Sequence, residues 1–306
     1  MKILETTNLS KYYRKTHALE GVSMRIEQGD IYGFVGKNGA GKTTLIRIIT
    51  GVAEPTSGTY SLFEETEKKK LIRVRSRMAA VVENPALNLG LNAYDNLRCQ
   101  CTLLGIKENV DQVINDTIQL VGLTELLGVK RKKVKNFSLG MKQRLGIAMA
   151  MISNPDFLVL DEPNNGLDPE GIRDMRELLM RLNEQKGVTI LISSHILSEL
   201  SKLATRYGFI DKGKLIKEIT AEELNQQCRK ASIFKVNDPK RAQDILIHSD
   251  YKNVSLLTDG VRVGDEINVS KTITLLSKHE IEVKSVQEQN EDLEQYFMEI
   301  IGANHD

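Results

Sequence analysis

Cysteine, uncompensated charge and long apolar runs are what this chain has least of. Its 306 residues include three cysteines, Cys99, Cys101 and Cys228. An odd number without metal-ligand spacing argues against a disulfide framework or a cysteine-held metal, and suggests structural thiols in a reducing cytosol. Lys plus Arg number 42 against 41 Asp plus Glu, so no bulk attraction to nucleic acid or an anionic membrane is expected. The run Lys130-Arg131-Lys132-Lys133 reads as a solvated loop. No apolar stretch approaches the roughly 18 residues of a membrane-spanning helix, and Met1-Lys2-Ile3-Leu4-Glu5 lacks the character of a signal peptide. No internal repeat or low-complexity tract is apparent. The length suits one large and one small domain, each with its own core.

What is present is more specific. Gly36-Lys37-Asn38-Gly39-Ala40-Gly41-Lys42-Thr43-Thr44 fits G-x-x-x-x-G-K-[ST]. An apolar run, residues 31–35, precedes it as a buried strand, and Leu45, Ile48, Ile49 and Val52 follow at helical spacing. In that setting glycines let backbone N–H groups turn toward β- and γ-phosphates, and the helix N-terminus adds favourable dipole charge. Lys42 would reach the β/γ oxygens and Thr43 would ligate Mg²⁺. A nucleoside triphosphate is the expected ligand.

A second apolar run, residues 157–160, ends in Asp161 and Glu162, as a buried parallel strand does where its C-terminal end opens onto a site. Asp161 would hold Mg²⁺ directly or through water, and Glu162 would polarise an attacking water. Asn136-Phe137-Ser138-Leu139-Gly140-Met141-Lys142-Gln143-Arg144 opens a helix with Leu145, Met149 and Ile152 on its apolar face. Ser138 by itself reads there as a helix N-cap.

Taken in order, the phosphate loop, Phe137-Ser138-Leu139-Gly140-Met141-Lys142-Gln143-Arg144, the Asp161-Glu162 strand, Asn165-Gly166-Leu167-Asp168 and a strand at 188–192 leading to His195 resemble the nucleotide-binding subunit of ABC transporters. The resemblance covers about residues 1–220. It implies that Ser138 and Gly140, in a signature segment usually L-S-G-G-Q, contact the γ-phosphate of ATP held by a partner subunit. It makes 165–168 the D-loop, His195 the switch histidine and Tyr13 the aromatic residue that stacks on adenine, with Tyr12 its near neighbour. It also puts Glu83, in Val81-Val82-Glu83-Asn84-Pro85, at the Q-loop position beside Mg²⁺, where most relatives carry glutamine. A carboxylate there adds negative charge and cannot donate an amide N–H. Leu139 and Met141 likewise depart from the signature. These departures, with Ser193-Ser194-His195-Ile196-Leu197-Ser198-Glu199, resemble the bacitracin-resistance and lantibiotic-immunity branch.

The implied protein is an α/β cassette of the P-loop NTPase kind at 1–220: a parallel-sheet core, an antiparallel N-terminal flap and a helical lobe at about 86–154. Its nucleotide-binding set is Tyr13, Gly36, Lys37, Asn38, Gly39, Ala40, Gly41, Lys42, Thr43, Thr44, Ser138 and Gly140. Glu162, His195 and Lys42 are the catalytic set, and Thr43, Glu83 and Asp161 the metal set. ATP and Mg²⁺ are the cofactors. The partners would be a second copy on ATP binding and a transmembrane permease on a separate chain, holding this one at the cytoplasmic face, with no nucleic acid; the cargo would be antimicrobial peptides or similar compounds. The alternative from another class is a soluble ATPase switch acting on a non-membrane partner. A non-hydrolysing regulator is disfavoured by Glu162.

Past residue 216 such motifs stop. Residues 221–306 read as strand 233–236, helix 240–247, strands 254–257 and 261–263, helix 271–277, strand 281–286 and a last helix carrying Leu293, Phe297, Ile300 and Ile301. That order fits a small split β-α-β, α+β layer serving packing, dimer support or regulation.

Overall fold

The computed structural model describes residues 1–14, 16–129, 131–227, 230–249, 251, 253–264 and 267–290. The chain divides into two compact units, Met1–Ala221 and Glu222–Asp306.

The first unit is organised by a six-stranded sheet. Its order is Lys214–Thr220, Arg206–Asp211, Ile31–Val35, Thr189–Ser194, Phe157–Asp161 and Met78–Val81. Only the first pair runs antiparallel; the other neighbours are parallel. Every residue of Ile31–Val35, Phe157–Asp161 and Thr189–Ser194 is buried, which explains why these strands read as continuous apolar runs rather than alternating ones. Their C-terminal ends lie side by side, with Val35 opposite Ser194 and Asp161 opposite Ser193. The loops after them therefore converge on one edge of the sheet.

A second, antiparallel sheet joins Thr16–Val22, Lys2–Tyr13, Arg25–Glu27 and Ser57–Leu62. Ser23 and Met24 separate the strands Thr16–Val22 and Arg25–Glu27. Between the two sheets Tyr32, Phe34, Leu45, Ile46, Ile48, Ile49, Phe157 and Leu191 share one core with Leu4, Leu9 and Ile26. Val52 does not belong to it. The helix Lys42–Ile49 ends at Thr50 and Gly51, the latter at φ 82°, and leaves Val52 75% exposed.

Residues 86–154 carry the helices Ala93–Leu103, Val110–Leu120 and Leu139–Met151. Asn92 caps the first by accepting from Asp95 N, and Ser138 caps the third by accepting from Met141 N. The third buries Gln143, Leu145, Gly146, Ile147, Ala148 and Met151, so it is enclosed on several sides. Met149 stays half-buried and lines a groove with Val82 and Pro85. Helix Pro169–Lys186 starts at the Asp168 cap and buries Met175, Leu178, Leu179 and Leu182, the i, i+3, i+4, i+7 face of the sequence. Cys101 is buried, which raises its thiol pKa, while Cys99 is exposed; Cys228 and Lys130 lie outside the described residues.

After the helix Ala221–Gln227, which the sequence-based expectation does not include, the second unit runs strand, helix, two strands, helix, strand. Its four-stranded antiparallel sheet has the order Val254–Leu257, Gly260–Val263, Lys230–Val236, Val283–Asn290. This is the split β-α-β arrangement, with Pro239–His248 and Val269–Lys278 as its helices. Phe234, Val236, Ala242, Leu246, Val261, Val263, Leu276 and Ile281 form its core. The last strand begins at Val283 rather than at 281, and the expected final helix lies outside the described residues.

Candidate functional site

Strand Ile31–Val35 delivers the chain into the loop 36–41, which turns directly into helix Lys42–Ile49. The turn depends on Gly41, at φ 112°, where an added Cβ would lie 2.5 Å from the Ala18 carbonyl oxygen; only glycine fits both demands. The loop folds over Lys42, whose side chain is 5% exposed and whose ammonium donates to the carbonyls of Gly36 at 2.6 Å and Lys37 at 3.3 Å. Ala40 is buried, whereas Lys37, Asn38 and Gly39 are exposed and Thr44 is half-buried.

Two acids meet this loop from the end of strand Phe157–Asp161, which lies beyond Thr189–Ser194 in the sheet. Asp161 accepts from the Thr43 hydroxyl at 2.8 Å and from the Ser193 hydroxyl at 2.6 Å. Glu162 lies 3.0 Å from Lys42 Nζ through one oxygen and 2.7 Å from His195 Nδ1 through the other. Its backbone N–H donates to Ser193 Oγ at 2.9 Å, and its φ of 49° turns the chain out of the strand. Glu83 has a φ of 60° just beyond strand Met78–Val81. One cleft is lined by Asn38, Thr43, Glu83, Asp161, Glu162 and Asn165.

The donors facing this cleft are hard oxygens: a threonine hydroxyl and carboxylates. Among the described residues no group of three or more His, Cys, Asp or Glu is arranged to enclose a metal. The Thr43–Asp161 pair suits Mg²⁺ nonetheless, because that ion keeps several waters and takes substrate phosphate oxygens alongside one or two protein ligands. Glu83 is engaged elsewhere: its carboxylate pairs with Arg47 at 2.6 Å.

Three residues of the anticipated set stand apart. Ser138 and Gly140 open onto a different cleft, with Glu125, Leu167, Asp168 and Gly171, while Leu139 between them also borders the cleft of Asn38 and Thr43. Tyr13 is 44% exposed, with the Lys11 ammonium 4.9 Å from its ring centre. Tyr12, also exposed, packs against His17 at 4.5 Å instead, so neither tyrosine is buried.

Sequence reasoning missed Ser193, which ties Asp161 to the backbone of Glu162, and Arg47. It also missed the contact between Asn164 Nδ2 and Glu199 Oε2, 2.9 Å, which joins the segment after Glu162 to the helix after His195. Ser193 and Glu199 stood within the quoted segment around His195; Arg47 follows Thr43 by one helical turn, the only signal it offered.

A phosphate loop on a parallel sheet, a hydroxyl–carboxylate pair at its mouth and a glutamate beside a histidine define a P-loop nucleoside triphosphatase. Comparison narrows the class. The ABC transporter family model matches residues 19–165. The bacitracin transport ATP-binding protein BcrA of Bacillus licheniformis is 38% identical over 98% of each chain. The lantibiotic transport ATP-binding protein SrtF of Streptococcus pyogenes is 43% identical over 71% of this chain and 90% of its own. Among solved structures, cbiO1 of Clostridium perfringens, part of the ABC transporter complex cbiONQ, aligns with a TM-score of 0.66 and 26% identity, covering 73% of this chain and 90% of that one. The chain belongs to the ATP-binding proteins of ABC transporters, and is an ATPase subunit of that family. Among the described residues no helix is long and apolar enough to cross a membrane.

Proposed function

We propose that this subunit powers movement of antimicrobial peptides or similar compounds through a permease on a separate chain, attached at the cytoplasmic face of the membrane. The similarity to BcrA along 98% of both chains supports that cargo class. The unit Met1–Ala221 is the cassette and residues 222–306 are an accessory domain.

Two copies bind two ATP molecules head to tail. The observation that carries this reading is that Ser138 and Gly140 line a different cleft from Thr43, Asp161 and Glu162, with Leu139 between them bordering both; a second chain supplies the missing contact to the γ-phosphate. Tyr13 stacks on adenine and the loop 36–44 wraps the phosphates; Thr43 and Asp161 would hold Mg²⁺, which would supply charge stabilisation for the transferred phosphoryl. Glu162 orients the attacking water, and His195, 2.7 Å away, holds Glu162 and faces the γ-phosphate. Lys42 must leave its pair with Glu162 to stabilise the phosphates, which frees that carboxylate for water only once nucleotide is present. ATP joins the copies because both contact the γ-phosphate; hydrolysis removes the differential affinity.

The test is co-purification of the tagged chain from membranes. A multi-helix membrane protein retained with it, and peptide resistance lost when Glu162→Gln replaces the wild type, support the reading. Recovery with ribosomes or DNA instead would sink it.

A further inference from the structure

Each acid of the cleft has its own partners. Asp161 is held by Thr43 and Ser193, and Glu162 by Lys42 and His195. Glu83 is held by Arg47, at 2.6 Å, with the two side chains 44% and 60% exposed for Arg47 and Glu83. Arg47 comes from the same helix as Thr43, Lys42–Ile49, and at four residues' distance it lies on the same face, one turn further from the phosphate loop. The helix that presents the metal-binding hydroxyl therefore also carries the cation that occupies the nearest loop carboxylate. A glutamine at position 83 would need no such cation; a glutamate beside two further carboxylates does, because like charges sharing a cleft raise one another's energy.

We infer that Arg47 is a positioning residue: it competes with the nucleotide-bound divalent cation for the Glu83 carboxylate, and so sets how readily the 83–85 segment is drawn to the site when Mg-nucleotide binds. The inference rests on the proposed location of the metal between Thr43 and Asp161. Without nucleotide, the ion pair holds Glu83 on the helix. With a divalent cation held by Thr43 and Asp161, the Glu83 carboxylate would leave Arg47, and the segment leading to Asn84 and Pro85 would follow it. An exposed pair is weak enough to be exchanged in this way, whereas a buried one would be locked.

The experiment measures binding of a fluorescent ATP analogue as Mg²⁺ is titrated, using wild type, Arg47→Ala, Arg47→Lys, Glu83→Gln and the double variant Arg47→Ala/Glu83→Gln. Arg47→Ala should lower the Mg²⁺ concentration at half-saturation by about threefold, the scale of a half-exposed ion pair. Arg47→Lys should stay near wild type, because it keeps the charge. Glu83→Gln should raise the midpoint, and adding Arg47→Ala to it should shift it little further. An equal shift in both backgrounds would make Arg47 a through-space charge with no link to Glu83, and no shift in either would remove it from the site. Either result overturns the inference. If wild-type nucleotide binding is indifferent to Mg²⁺, the metal location itself fails, and that outcome is distinguishable from the other two.

Discussion

His195 reaches Glu162 at 2.7 Å through Nδ1, across 33 residues of chain and two adjacent strands. Together with Lys42 on the other oxygen, at 3.0 Å, it pairs both sides of the carboxylate proposed to orient the attacking water. Substituting Glu162→Gln keeps the shape and the capacity to bridge while removing the base. ATP binding should persist and steady-state phosphate release should fall at least about a hundredfold, the usual scale for losing a positioned base. The variant should accumulate as an ATP-bound dimer by light scattering. Near-normal turnover would take Glu162 out of the mechanism.

Composite sites make a prediction that no single-chain site shares. Ser138→Arg spoils the contact offered to the partner's nucleotide, and Lys42→Ala spoils the chain's own phosphate loop. Each homodimer then has no intact site, whereas a mixed dimer has at most one. Some ATPase activity should return on mixing the two inactive proteins. Continued inactivity while heterodimers form would exclude the head-to-tail arrangement.

The parts of this protein that were legible in its sequence are those built from contiguous residues. The phosphate loop, the strand ending in Asp161 and Glu162, the Ser138 cap and the Met175–Leu182 face are local patterns, and their geometry follows from period and turn chemistry. The order from strand Lys230–Val236 to strand Val283–Asn290 was readable for the same reason, whereas the helix Ala221–Gln227 was not. Val52 keeps the helical spacing of Leu45, Ile48 and Ile49 although Thr50 and Gly51 end the helix before it. Arg47 with Glu83, Asn164 with Glu199, and Gly146 against Pro85 were not legible, because each pairing exists only once distant elements have packed.

Tyr32 supplies a stability test away from the chemistry. It is fully buried, and its hydroxyl donates to Glu218 Oε1 at 2.6 Å. Burial, reinforced by the Glu218 charge, holds its pKa well above the usual tyrosine value. Above the unfolded value of about 10 the unfolded chain releases this proton while the folded chain keeps it. The contribution is therefore fully present below that pH and is lost as pH rises toward the folded value, at up to ~1.4 kcal/mol per pH unit. Tyr32→Phe should cost about 1–3 kcal/mol at neutral pH by leaving Glu218 without this donor. Its unfolding free energy, measured in urea, should fall less steeply than the wild type's above pH 10. Parallel slopes would mean that Tyr32 ionises equally in both states.

The contact between Gly146 and Pro85 makes the last prediction. Gly146 lies in the signature-bearing helix Leu139–Met151, and a Cβ there would sit 2.3 Å from Pro85 Cβ and 3.0 Å from its Cγ. Pro85 is a stiff ring two residues after Glu83, so it cannot yield as a flexible side chain would. Gly146→Ala improves helix propensity by about 1 kcal/mol, yet the clash should outweigh that gain and give a net loss of about 1–3 kcal/mol, the range for overpacking. Relief requires either the helix or the 83–85 segment to move, and the second displaces Glu83 from Arg47. The variant should therefore need a different Mg²⁺ concentration for ATP binding as well as unfold at lower urea. If stability rises as helix propensity alone would have it, helix and loop are not in the tight contact seen here, and the route by which the Glu83 segment senses the helical lobe must run elsewhere.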